Sequence, residues 1–321
     1  MEEKKKGNRL LNFIIKLRYR ISLDKKTFII YSILRGLVIL TLVRMLLARS
    51  YEGAMICVLS LILFLLPAAF EEYFKIKIPP LFEGIIYVFI YAAEILGEIN
   101  NYYILIPGWD TLLHTINGFL CAAAGFSLIY LLNRNSRNFN LSPVYLTLVA
   151  FCFSMTVGVM WEFIEFFADY FLLLDMQKDF VIPRFSSVTL DPSGSGSPVV
   201  VRNITHTVIR TISGATYTIE GGYLDIGLID TMKDLQVNFL GAVAFSLIGY
   251  STLKSKKYSA IADNLMMRPV SPEQQKQEEA EIRWREWRDR EKGRRKRRKG
   301  RGKGAAVPQG SGLQDEAGER A

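Results

Sequence analysis

The residues best suited to chemistry in this chain are acids and one histidine, set at helical spacing. Asp110 and His114 are four apart. Glu162, Glu165 and Asp169 follow at steps of three and four, and Asp230, Asp234 and Asn238 are each four apart. Each set falls on one face of a helix, turn above turn. Glu94 and Glu98 form a further pair one turn apart. All of them lie near the ends of long apolar runs, and an ionised side chain at the centre of a membrane helix costs at least about 2.5 kcal/mol.

Carboxylates drawn together cannot all stay ionised without compensation. A divalent cation would provide it, with His114 giving nitrogen and Asp110, Glu162, Glu165 and Asp234 giving oxygen. Shared protons would provide it too, and would make a relay or a general acid/base pair. Basic partners are the third remedy: Arg44 near the end of the first apolar run for the cluster, and Arg35 for Glu83. The spacing matches neither HExxH nor the paired ExxH of di-iron bundles. A hydrogen-bonded ring that only locks helices together stands beside the metal as an alternative. The expected catalytic set is Asp110, His114, Glu162, Glu165 and Asp234, and the expected metal set is Asp110, His114, Glu162 and Asp234. Arg44 is the candidate to meet a substrate phosphate. His206 falls in a loop and stays outside the set.

Helices must hold these residues, and the composition says which kind. Half of the 321 residues are hydrophobic, and they are concentrated between about residue 28 and residue 250. A hydrocarbon core of roughly 30 Å takes about 20 apolar residues per helix. Six such runs occur: Phe28–Ala48, Ala54–Phe70, Leu81–Glu98, Trp109–Leu132, Val144–Phe171 and Ile229–Leu253. The second and third are short, so a different tilt or a partly re-entrant path is expected. The fold expected is an all-α integral membrane bundle of six helices. Cys57, Cys121 and Cys152 each fall inside an apolar run, which excludes a disulfide framework or a CxxC metal knuckle. The N-terminus carries no small-residue cleavage site, so no removed signal peptide is expected.

The net charge of +9 gathers at the ends of the chain rather than on a nucleic-acid-binding face. Basic residues fill the N-terminal region, the second loop (Lys75, Lys77) and the fourth (Arg134, Arg137), whereas Ile99–Gly108 has no charge. The positive-inside rule then puts both termini in the cytoplasm of a cell-membrane protein. Residues 1–26 read as a cytoplasmic basic segment whose Arg9–Arg20 stretch forms an interfacial helix. Residues 27–253 are the membrane domain. Its 172–228 connection is extracytoplasmic, long enough to cover a site, and turn-rich at LDPSGSGSP. The following VVVRNITHTVIRTISGATYTI alternates as a β-hairpin or small strand pair. Residues 254–321 form a basic tail, helical over about 273–292 from a Ser271-Pro272 start. The run at 293–303 is suited to anionic membrane lipid, to nucleic acid, or simply to fixing topology. No protein partner follows from the sequence.

Three blocks, WDTLLHTINGF (109–119), GVMWEFIEFFAD (158–169) and DTMKDLQVNFLGA (230–242), resemble the YjdF-type family of polytopic membrane proteins. Their order is also similar to the broader VanZ-like pattern. The resemblance covers roughly residues 80–250. It implies that Asp110, His114, Glu162, Asp230, Asp234 and Asn238 are the motif positions, with Asp230 and Asn238 on the substrate side, and it points to the cell envelope. Three function classes remain open: an enzyme acting on a lipid or lipid-linked envelope substrate, a non-catalytic envelope or assembly factor, and an ion-coupled transporter.

Overall fold

The structure, a computed structural model, describes residues 25–135, 140–255 and 264–271, together with 273, 276, 279–281, 283–284 and 287–288. It divides into two units, Arg20–Pro269 and a second made of Met1–Tyr19 with Val270–Ala321. Six helical stretches among the described residues are long and apolar enough to cross a membrane. They are α1 (Lys25–Leu47), α2 with α3 (Tyr51–Leu63, Leu66–Phe74), α4 (Pro80–Tyr91) running on as a π-helix (Ala92–Ile99), α6 (Trp109–Asn135), α7 (Pro143–Leu172) and α8 (Leu228–Ser255). The short helix α5 is Tyr102–Leu105. The chain is a membrane helical bundle with small antiparallel strand pairs. Its outward faces are apolar, as bilayer contact demands: Leu40, Met55, Ile62, Leu148, Phe163 and Leu240 are all exposed.

The second span is 24 residues, Tyr51–Phe74, longer than the apolar run alone implies. It gains its first turn where Glu52 suits the helix N-terminus. It breaks after Leu63 because Pro67, in the first turn of α3, cannot continue the preceding hydrogen bonds. The third span ends in eight residues of π-helix, a wide turn that frequently marks functional sites. Entry into α7 follows local chemistry: Ser142 Oγ accepts from Tyr145 N at 3.3 Å, and Pro143 occupies the first turn. Asp225 plays the same part for α8, where its Oδ2 accepts from Ile229 N at 2.8 Å.

Spans four, five and six pack as a tight triad. Ala122, Ala123, Ala150 and Ala242 let the backbones approach around Phe82, Phe126 and Phe245. Gly118 and Gly241 mark the closest approach of α6 and α8. A Cβ on Gly118 would overlap the carbonyl oxygen of Asn238, and one on Gly241 that of Thr115. Spans one to three meet through Tyr31, Phe64 and Tyr87, whose ring centroids lie 5.2–6.1 Å apart. Arg35 does not pair with Glu83. It donates to Tyr31 Oη at 2.6 Å, while Glu83 accepts from Tyr87 Oη at 2.7 Å. At the end opposite the acids, β1 (Ile76–Lys77) pairs antiparallel with β8 (Arg268–Pro269). There Met267 N donates to Ser127 Oγ at 3.1 Å, and Leu265, Met266 and Met267 are buried.

The 172–228 connection holds three strand pairs, where a single hairpin was expected. β5 (His206–Arg210) and β6 (Thr216–Glu220) form the expected hairpin. Val199–Val201 (β4) instead pairs with Phe185–Ser187 (β3), and Val181–Ile182 (β2) with Tyr223–Leu224 (β7). The cause is Asp191. Its Oδ1 accepts from Ser193 N and Oγ at 2.9 and 2.6 Å, and its Oδ2 from Ser195 Oγ at 2.9 Å. That turn folds β4 back onto β3. The Ser193 hydrogen bonds hold the Asp191 carboxyl well below the usual carboxylate range. In the second unit, the described positions between Glu273 and Arg288 are helical, with the Arg288 guanidinium 4.5 Å from the Trp284 ring centre. The Arg9–Arg20 and 293–303 segments lie outside the described residues.

Candidate functional site

The expected acids and histidine converge from α6, α7 and α8. His114 Nε2 lies 3.5 Å from Asp110 Oδ1 and 3.9 Å from Asp234 Oδ2, and its Nδ1 lies 3.9 Å from Glu162 Oε1. One ligand atom each from Asp110, His114 and Asp234 lie within 4.8 Å of one another. These separations exceed a direct hydrogen bond, so the side chains ring a small gap. Glu162 and Asp234 are buried, His114 is nearly so, and Asp110 is part-exposed. Glu162 Oε2 is buried with no partner in hydrogen-bond geometry, with the Thr231 hydroxyl the donor near its carboxylate. A buried carboxylate oxygen left unpaired is costly unless something unseen meets it.

The other expected residues surround this set. Glu165 is buried one turn along α7 and accepts from Trp161 Nε1 at 2.8 Å. Asn238 is wedged between helices: it accepts from Asn117 Nδ2 at 3.4 Å, points its own amide at Met155 Sδ at 3.6 Å, and packs against Gly158. It lies below the acids as a helix-locking amide. Arg44 is elsewhere, donating to Asn100 Oδ1 at 3.3 Å, and among the described residues it forms no ion pair with the cluster. Glu94 and Glu98 join only at a distance. They bear on Tyr103 together with Asp110 and Glu165, and burial, aided by those acids, raises the Tyr103 phenol above its ordinary value.

Several acids hold a strap over this end of the bundle. Asp169 accepts from Met176 N at 2.6 Å and Gln177 N at 2.8 Å. Asp230 Oδ2 accepts from Lys178 N at 2.7 Å, and Asp225 Oδ1 from Phe180 N at 2.7 Å. Gln177 Nε2 donates to Thr231 Oγ1 at 2.6 Å, and Lys178 Nζ donates to the Asp175 carbonyl. Asp230, expected on the substrate side, thus uses one oxygen to pin the 176–180 segment. Lys233 stands 4.5 Å over the Phe180 ring and within electrostatic reach of Asp110 and Asp230. Reasoning from sequence passed over Asn117, Gln177, Thr231 and Lys233. Asn117 sits three residues after His114 and carried a helical-spacing signal, while Gln177 carried none, because its partner is 54 residues away.

No curated protein and no solved structure matches the chain. Residues 30–255 match a family described as predicted membrane protein, DUF2238. Consistent with the YjdF-type resemblance of its three motif blocks, the chain belongs to that DUF2238 family of membrane proteins.

Proposed function

We propose that Asp110, His114 and Asp234, completed by Glu162, hold a divalent cation, and that this centre acts on the polar part of a membrane lipid or lipid-linked envelope substrate. The carrying observation is the 4.8 Å spread of three ligand atoms beside a buried, unpartnered Glu162 oxygen. Tetrahedral ligands at about 2.1 Å from zinc stand about 3.4 Å apart. The observed gaps would close by about 1.5 Å or less. A ligating histidine is neutral, so three ionised carboxylates leave about three negative charges, of which a divalent ion offsets two. One nitrogen and several carboxylate oxygens suit zinc, manganese or iron(II). Glu162 faces the other ring nitrogen, Nδ1, so it orients the His114 ring or, with its free oxygen, acts as a base toward bound water. Because Arg44 is turned to Asn100, contact with a substrate anion falls to Lys233.

The basic flanks support placing both termini in the cytoplasm and the cluster at the outer face of the cell membrane. Its VanZ-like motif order supports an envelope substrate, and the 293–303 run is assigned to anionic lipid. Metal analysis of detergent-purified protein tests the centre. We expect about one divalent ion per chain, and near-complete loss in His114→Ala. Metal no higher than the buffer blank in both proteins would remove the reading.

A further inference from the structure

A groove of about 440 Å³ runs between α7 and α8, lined by Met155, Met232, Leu235, Gln236, Phe239 and Leu240. The α8 residues recur at three- and four-residue steps, so the groove follows the helix axis. It faces outward: Met232, Phe239 and Leu240 are exposed, on the opposite side of α8 from buried Asp234 and Asn238. Gln236 is exposed inside this apolar strip, and among the described residues no side chain meets its amide. A primary amide facing hydrocarbon without a partner is costly.

Depth narrows what fills the groove. The 28 residues of α8 are about 42 Å long, against a hydrocarbon core of about 30 Å. A centred helix therefore crosses the polar boundary about 6 Å from its start. Met232 falls at that boundary, Gln236 about 6 Å below it, and Leu240 about 6 Å deeper still. The groove thus begins where lipid carbonyls lie and ends among acyl chains. It also reaches the polar interior one helical turn from that centre: Met155 lines it and receives the amide of Asn238, four residues beyond Asp234, at 3.6 Å.

We propose that this groove binds one acyl chain of a membrane lipid, with the Gln236 amide donating to the carbonyl of its ester or amide linkage and the head group lying toward the acid/histidine centre. The substrate class is then an acyl lipid that reaches the site sideways from the leaflet holding the cluster. This rests on the metal-centre reading for the direction of the head group and for the lipid's being a substrate; the occupancy of the groove does not.

The test is photocrosslinking in vesicles of phosphatidylglycerol and phosphatidylcholine, with p-benzoylphenylalanine in place of Phe239. The control carries it in place of Leu247, which is exposed on the same helix outside the groove. Lipid adducts should be several-fold more abundant at position 239 than at 247, and Gln236→Leu should reduce the excess to the control level. Equal adducts at the two positions, none included, would overturn the proposal, and so would a crosslinked dimer as the main product. Metal content of the same samples separates the two readings. Bound metal without an adduct excess sinks the groove alone, and an adduct excess without metal sinks the metal centre alone.

Discussion

Glu162 has one carboxylate oxygen beside the His114 ring and the other buried without a partner. A side chain placed for stability alone would not leave that oxygen bare, because the desolvation cost of an unmet buried polar group is about 1–3 kcal/mol. Glu162→Gln removes the charge and keeps the shape. In chelator-treated protein this variant is expected to melt at the same temperature as the parent or higher. In metal titrations it should bind at least about ten-fold more weakly, since ligands and their close partners are typically worth 10–100-fold in affinity. A melt lowered in chelator, with metal binding unchanged, would instead make Glu162 a member of a structural ring. Asp169, Asp225 and Asp230 already have structural work in capping a helix and holding the strap. The acids of this end are thus divided by their partners: those accepting backbone N–H groups hold the chain, and those facing His114 surround the gap.

At the scale of elements, the triad α6–α7–α8 sets the geometry of that gap, and its tolerance is small. Gly118→Val would drive a side chain into the Asn238 backbone, whereas Gly36→Val on α1 meets nothing within 4 Å. Overpacking of a close interface costs about 1–3 kcal/mol and sometimes more. The first variant should lose monodisperse protein on size exclusion and melt several degrees lower. The second should match the parent, and equal behaviour of the two would refute the close-approach account. Membrane helices were easy to read because lipid contact writes long apolar runs into the chain, and each span begins and ends within a few residues of its run. The convergence of Asp110, His114, Glu162 and Asp234 was legible because charge in such runs is expensive and helical spacing fixes its face. What escaped depends on contacts between distant segments. Val199–Val201 alternates well enough to extend the hairpin, yet the Asp191 turn sends it to Phe185–Ser187. Arg44 and Asn100 meet across 56 residues, and neither residue type announces the other.

For the whole molecule, six candidate spans among the described residues, each crossing once, return the chain to the face from which it started. The acid/histidine centre and the three strand pairs then share the face opposite to both ends of the membrane domain. Which face that is depends on the basic flanks, for short connections rich in lysine and arginine stay in the cytoplasm. A green fluorescent protein fused after residue 321 should fluoresce. Alkaline phosphatase placed within the exposed Ser193–Ser197 stretch should be active, and the same enzyme at the C-terminus inactive. The opposite pattern would carry the centre to the cytoplasmic leaflet without dispersing it, because its distances are set by α6, α7 and α8 and not by the flanks. The proposed substrate would change with it, from a lipid presented to the envelope to one presented to the cytoplasm, while the metal and groove experiments would keep their expected outcomes. Sidedness and chemistry are therefore separable properties here: the first is set by charge outside the bundle, the second by charge within it.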